Sequence, residues 1–428
     1  MIDIFEYGKD NTDKVFTRSQ LTNVSVRESV SEIIKNVREN GDESLFEYAL
    51  KFDGIDVQKS GIAVSDREIK DAYKAVSPEL LSSLRRSIEN VLDYHKRQID
   101  RFSSEIYDVK SSSKLGWMYR AMDKAGLYIP GGKASYPSSI LMCSLPAKAA
   151  GVKEISLATP NPKNPLTLVA AAECGIDKIY KVGGAHAIAA LAFGTKSVGK
   201  VDIIAGPGNV YVTEAKKQVY GFVGIDMIAG PSEILVIADD SANARFVAAD
   251  MLSQAEHDEL AASILVTPSR KLAEETAIEI ERQRKTMSRK GIIDASLKNN
   301  GAIIIAKDMS ECIEIADRIA PEHLELCVEN AAEVAKRIRN AGAVFVGNYS
   351  PEPLGDYFAG PSHCLPTSGS ARYFSVLSVD TFMKKISYIE YSKEDLFEGA
   401  LDITAIAECE GLTAHANTIY ERLNYEKG

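Results

Sequence analysis

A chain of 428 residues, 45% hydrophobic and 26% charged, has the composition of a globular protein with core enough for two or three domains, neither disordered nor fibrous. A net charge of -10 argues against a nucleic-acid partner, which needs a surplus of Lys and Arg on one face. The start "MIDIFEYGKDNTDK" holds charges and no apolar core, no apolar run nears the ~20 residues of a bilayer span, and the six scattered cysteines form no C-x-x-C pair, so a cytoplasmic protein with reduced thiols and no membrane segment is expected.

Residues 25 to 105 read as helices with charged outer faces. "SVRESVSEIIKNVRENGDESLFEYALKFDG" carries apolar residues at helical spacing and ends at Gly54, and Pro78 starts a new helix at its tolerated first turn. After Gly126 the period changes. Strands of about five residues, "GLYIP", "EISLATP", "KIYKVGG", "VDIIAGPG", "EILVIAD", "SILVTP", "AIIIAKD" and "GAVFVGN", alternate with helices, the pattern of parallel α/β sheets. "LATP" at 157–160 and "LVTP" at 265–268 each end a strand before a helix, a weak repeat that suggests two related halves. The basic run "RQRKTMSRK" (282–290) reads as a solvated helix end, and beyond about 375 a polar tail with helical patterning forms a separate small unit.

Three glycine-rich turns follow strands: "GLYIPGGKASYPSS" (126–139), "VGGAHAIAALAFGT" (182–195) and "AGPGNVYVTEAKKQV" (205–219). Backbone amides at a helix N-terminus suit a phosphate, although none of the three completes G-x-G-x-x-G. Five of the six histidines, at 186, 257, 323, 363 and 415, sit beside Gly, Pro, Glu or Asp in loop-like contexts. In "LSQAEHDEL", Gln254 and His257 lie three residues apart at a helix end and can present two neutral ligands from one face; Asp356, in a Gly and Pro loop, adds a hard oxygen. Such an O and N set suits zinc, with manganese or cobalt as substitutes. In "APEHLE", Pro321 ends the preceding helix, so Glu322 and His323 are expected on a turn, a carboxylate beside an imidazole that can accept a proton near neutral pH.

These stretches resemble the histidinol dehydrogenase family. "IDMIAGPSEILVIADDSANARFVAADMLSQAEHD" (225–258) is similar to its signature, and "GLYIPGG", "GPGNVYV", "APEHLE", "GDYFAGPSH" and "EGLTAHA" extend the resemblance in order over nearly the whole chain. The resemblance implies an intertwined homodimer with two incomplete Rossmann-like parallel-sheet domains and two small helical or extension domains, one zinc per active site, and NAD. The expected division is an N-terminal extension (1–24), a first α/β domain with substrate and metal residues (25–125 and 235–375), a second, NAD-binding α/β domain (126–234), and a small C-terminal domain (376–428) that reaches the partner subunit.

Residue by residue, the resemblance implies Gln254, His257, Asp356 and His415 as metal ligands, the last from the other subunit, and Glu322 and His323 as the acid/base pair. Ser232, His363 and Glu410 join Gln254, His257, His323, Asp356 and His415 in the substrate pocket, and Tyr128, Asn209 and position 186 contact NAD. At 186 the family pattern has a glutamine where this chain has His186. The implied reaction takes L-histidinol through histidinaldehyde to L-histidine, His323 taking protons and Glu322 activating water while the metal grips the substrate's imidazole and amino nitrogens. A rival reading, a thiol-dependent aldehyde dehydrogenase using Cys143, needs a depressed thiol pKa, and no basic residue adjoins Cys143 in the chain. A non-catalytic metal-binding protein would leave "APEHLE" and the glycine turns without a role.

Overall fold

Short Ile-, Val- and Ala-rich runs become strands where helices cover both faces of a parallel sheet. The structure, a computed structural model, describes residues 2–16, 24–110, 112–131, 136–160, 162 and 164–425. Parts of the expected N-terminal extension (17–23) and of the first glycine turn (132–135), and the last three residues of the tail, lie outside the described residues. The strands are β1 (Ile4–Glu6), β2 (Glu105–Val109), β3 (Ser113–Ala121), β4 (Lys124–Tyr128), β5 (Glu154–Ala158), β6 (Lys178–Tyr180), β7 (Ile203–Ala205), β8 (Gly224–Ile225), β9 (Glu233–Ala238), β10 (Ala262–Thr267), β11 (Gly301–Ile305), β12 (His323–Cys327), β13 (Ala343–Val346) and β14 (Met383–Glu390).

The chain divides into two units, residues 1–97 with 122–382 and residues 98–121 with 383–428. The first holds two parallel sheets, of order β6-β5-β4-β7-β8 and β1-β11-β10-β9-β12-β13. Each winds outward from its first core strand, β4 or β9, through two strands on one side, then returns to add two on the other. The strand order therefore reverses between β4 and β7 and between β9 and β12. "LATP" and "LVTP" fall at the same point of the two halves, the end of the second strand, β5 or β10.

The N-terminal helices belong to a different layer from the one expected. Val30, Val37, Leu45 and Val57 share one buried core with Tyr128, Ala158, Ile188 and Leu191, so residues 24–60 cover the five-stranded sheet rather than joining the six-stranded one. A helical apolar period shows that one face is buried but not which sheet buries it. The N-terminal extension contributes β1, which pairs with β11 at the sheet edge. Helix Pro78–Lys96 starts as expected: Pro78 takes the first position and Ser77 accepts the amide of Leu80.

In the second unit β2, β3 and β14 form an antiparallel sheet, with helices Lys393–Glu398, Ala400–Cys409 and Thr413–Tyr425 following. The expected C-terminal unit thus begins later, after residue 382, and draws in residues 98–121 from the middle of the chain. Pairing between β3 and β14, nearly 270 residues apart in sequence, leaves no local signal (Met383 opposes Ala121). Among the described residues no helix is long and apolar enough to cross a membrane.

Candidate functional site

The helix Ala244–Ala255 carries Gln254 in its last turn and leads into His257. Asn243 accepts the Arg245 amide at its start, and Val247, Ala248, Met251, Leu252 and Ala255 pack on the six-stranded sheet. Each such side chain, fully buried, stabilises by roughly 1.5–3 kcal/mol for the larger ones, so the helix end is rigid. Gln254 lies in the last turn with no exposed surface, and neither its amide oxygen nor its nitrogen has a partner. An unsatisfied buried amide is costly, and a site that leaves both its atoms free is shaped for a ligand. His257 follows the helix C-cap and is about a third exposed, its amide donating to the Gln254 carbonyl at 3.2 Å.

Asp356 arrives from the short helix Glu352–Tyr357, together with a residue the sequence reading did not select. Glu352, 1% exposed, sets Oε1 3.9 Å from His257 Nε2, and ligand atoms of His257, Glu352 and Asp356 all lie within 4.8 Å of one another. Ser253 Oγ donates to Glu352 Oε2 at 2.9 Å, and the Glu352 amide donates to Glu325 Oε1 at 2.7 Å. Burial, then the charge of Asp356, pushes the Glu352 carboxyl up to about 7. Its position four residues before Asp356 on a helix was the available signal.

Glu322 and His323 are not on a turn. His323 opens β12, in the interior of the sheet between β9 and β13, and Glu322 immediately precedes it. The polar pair is tolerated at a strand start because β9 satisfies it: the Glu233 amide donates to Glu322 Oε2 at 2.8 Å, and His323 Nδ1 lies 3.1 Å from the Glu233 carbonyl. A carbonyl only accepts, so Nδ1 carries the proton and Nε2 holds a lone pair; Nε2 is buried and unpartnered. Burial lowers the His323 imidazole to about 4, while burial followed by the charges of Glu352 and Asp356 raises the Glu322 carboxyl well above its ordinary range. Gly342 allows the close approach behind them: a Cβ there would lie 2.6 Å from the Glu322 carbonyl oxygen.

His363 completes the cluster, Nδ1 3.7 Å from Asp356 Oδ1 and Nε2 2.9 Å from Ser139 Oγ of helix Pro137–Ala150. Burial lowers its imidazole too. Ser232, half-buried, directly precedes β9. The group therefore gathers at the amino ends of β9 and β12, where open parallel sheets ordinarily bind nothing, since ligands favour the carboxyl ends. Cys143, on the same helix as Ser139, is fully buried, and its contact with Cys364 at 3.4 Å together with burial pushes its thiol up, opposite to what a nucleophile needs.

The carboxyl edge of the five-stranded sheet presents the other constellation. Tyr128 ends β4, and Gly206 to Asn209 follow β7, so they flank the point where strand order reverses. Gly206, at φ 117°, brings its backbone against the Tyr128 carbonyl, where a Cβ would sit 2.2 Å away. Asn209 is exposed and caps helix Val210–Val219, accepting from the amides of Tyr211 and Val212. Tyr128 and His186 are buried, at 2% and 1% exposure; burial pushes the Tyr128 phenol up to about 12. Glu410 and His415 lie in the second unit, both exposed, Glu410 as the C-cap of helix Ala400–Cys409 and His415 in the first turn of the last helix.

The histidinol dehydrogenase family profile matches residues 16–423. The chain is 51% identical over 429 residues to the histidinol dehydrogenase of Caldanaerobacter subterraneus subsp. tengcongensis, covering 99% of each. It is 50% identical over 430 residues to that of Clostridium acetobutylicum, again covering 99% of each. The crystal structure of histidinol dehydrogenase from Elizabethkingia anophelis superposes with a TM-score of 0.92 at 36% identity, covering 100% of this chain and 99% of that one.

Proposed function

The chain belongs to the histidinol dehydrogenase family and is an oxidoreductase of histidine biosynthesis; from that premise we propose that it oxidises L-histidinol through histidinaldehyde to L-histidine in two NAD-dependent steps at a zinc site. The donor set fits such a metal: the unpartnered Gln254 amide and the His257 and Asp356 side chains supply oxygen and nitrogen ligands, with Glu352 among them. The Gly206–Asn209 turn at the β4/β7 reversal fits a dinucleotide, with Asn209 exposed at the rim and Tyr128 and His186 buried. When bound, NAD supplies the hydride acceptor and zinc a positive charge against which the substrate's imidazole and amino nitrogens are positioned.

The observation that carries the reading is the free Nε2 of His323. Held neutral by burial and fixed in one tautomer by the Glu233 carbonyl, it accepts the hydroxyl proton as the alcohol becomes the aldehyde, and again as the hydrated aldehyde becomes the carboxylate. Glu322 keeps Oε2 on the Glu233 amide and has Oε1 left to orient and deprotonate the water of the second step. Ser232 and His363 line the substrate pocket. In this proposal the site is composite, Glu410 and His415 coming from the partner subunit of a homodimer, and the enzyme works in the cytoplasm without nucleic-acid partners.

Histidinol and NAD should produce NADH, seen by its absorbance, with two NADH formed for each histidine. Chelation should abolish the signal without unfolding the chain, because a core of this size does not need one metal to fold, and added zinc should restore it. Full activity after complete metal removal would defeat the zinc assignment.

A further inference from the structure

The second glycine turn carries a feature the reaction does not use. Helix Gly184–Phe193 begins under Asp53, the last residue of the π-helical turn Ala49–Asp53 in the N-terminal layer. Asp53 Oδ2 accepts the Gly183 amide at 2.8 Å and lies 2.9 Å from His186 Nε2. The next amide, Gly184, donates to the Tyr128 hydroxyl at 3.1 Å. The turn is squeezed from the other side by Pro160, since a Cβ on Gly183 would come within 2.4 Å of the Pro160 ring.

A carboxylate at a helix N-terminus meets both the free amides and the positive end of the dipole. The place where a nucleotide phosphate could sit on this helix is therefore filled by the chain's own Asp53. The side chains of His186 and Asp53 are 1% and 8% exposed, and the imidazole lies among aromatic rings, its centroid 6.1 Å from those of Tyr48 and Phe52. A side chain so enclosed is badly placed to touch a nucleotide. It is well placed to hold the carboxylate.

We propose that Asp53 and His186 form a buried positioning pair: His186 orients the Asp53 carboxylate, and Asp53 pins the Gly183–Gly184 turn and through it the Tyr128 hydroxyl, so that the nucleotide edge of the five-stranded sheet is preset by the N-terminal helical layer. The inference rests on the nucleotide assignment made above. His186 here acts through Asp53 and makes no direct contact with NAD. A glutamine at 186 has a comparable reach and an N–H to offer, so the same link can be made with either residue.

The test is a double-mutant cycle read by direct binding of NADH, followed by its fluorescence, with the zinc-loaded full-length enzyme. Asp53→Ala and His186→Ala should each weaken NADH binding about tenfold, and the double variant should be no weaker than Asp53→Ala alone. His186→Gln should bind within about twofold of wild type. Effects that multiply in the double variant would mean that His186 touches the nucleotide itself, and unchanged binding by Asp53→Ala would remove Asp53 from the scheme; either result overturns the proposal. Should an alanine variant not fold, Asp53→Leu and His186→Leu, which fill the space without a donor or acceptor, run the same cycle with the same criterion. Wild-type enzyme that binds no NADH would instead overturn the nucleotide assignment.

Discussion

Replacing His323 by Asn tests the buried base through stability as well as rate. Asn keeps an N–H for the Glu233 carbonyl but does not titrate. In the folded protein burial holds the imidazole at about 4 against 6.5 for an exposed histidine. Between those values the unfolded chain binds a proton that the native protein refuses. Stability is thus intact above about pH 6.5 and lost as pH falls toward 4. A depression of about 2.5 units at ~1.36 kcal/mol per unit makes the loss about 3 kcal/mol. The raised carboxyls of Glu322 and Glu352 act in the opposite sense, but both proteins contain them, so they cancel to first order in the comparison. Urea unfolding of the metal-free proteins at pH 7 and pH 4 should show wild type losing about 3 kcal/mol more than His323→Asn. A difference under about 1 kcal/mol would mean that native His323 protonates freely and does not wait as a neutral base. The same substitution should slow both oxidations by about a hundredfold or more, the scale of losing a general base.

Glu322→Gln should impair oxidation of histidinaldehyde more than that of histidinol, because only the aldehyde step consumes water; separate assays with each substrate decide it, and normal aldehyde oxidation with failed alcohol oxidation would contradict the role. Gly342→Ala places a Cβ 2.6 Å from the Glu322 carbonyl oxygen and 3.2 Å from Leu365 and Pro366, so unfolding midpoints should report a loss of about 1–3 kcal/mol and a displaced Glu322 should lower kcat. If the site is composite, His257→Ala and His415→Ala homodimers should each be nearly inactive, while a refolded mixture should regain up to about a quarter of wild-type activity, one intact site per mixed dimer. Mixed dimers verified by mass that remain inactive would place His415 outside the partner's site.

All eight strands read as apolar runs after Gly126 are present, because a strand buried on both faces needs little beyond Ile, Val, Leu and Ala in sequence. β12 escaped, since its start, Pro321-Glu322-His323, is polar and looks like a turn; parallel pairing with β9 and β13 makes it a strand, and the Glu233 backbone satisfies its two polar side chains. Glu352 escaped because only the fold brings its carboxyl within reach of His257 and Asp356. Asp53 is one of many acidic residues on the helical layer until Gly183 meets it 130 residues later.

What the sequence by itself determined is therefore local: the alternation of strands and helices, the helix start at Pro78, the family, and the chemical types gathered in "LSQAEHDEL" and "APEHLE". The tertiary structure alone decided which sheet the N-terminal helices cover, that residues 98–121 pair with β14, that Glu322 and His323 stand at the amino end of β12 beside β9, and which ring nitrogen of His323 is free. Periodicity and capping act within a few residues along the chain, whereas burial, tautomer and charge depend on partners brought from 90 to 270 residues away.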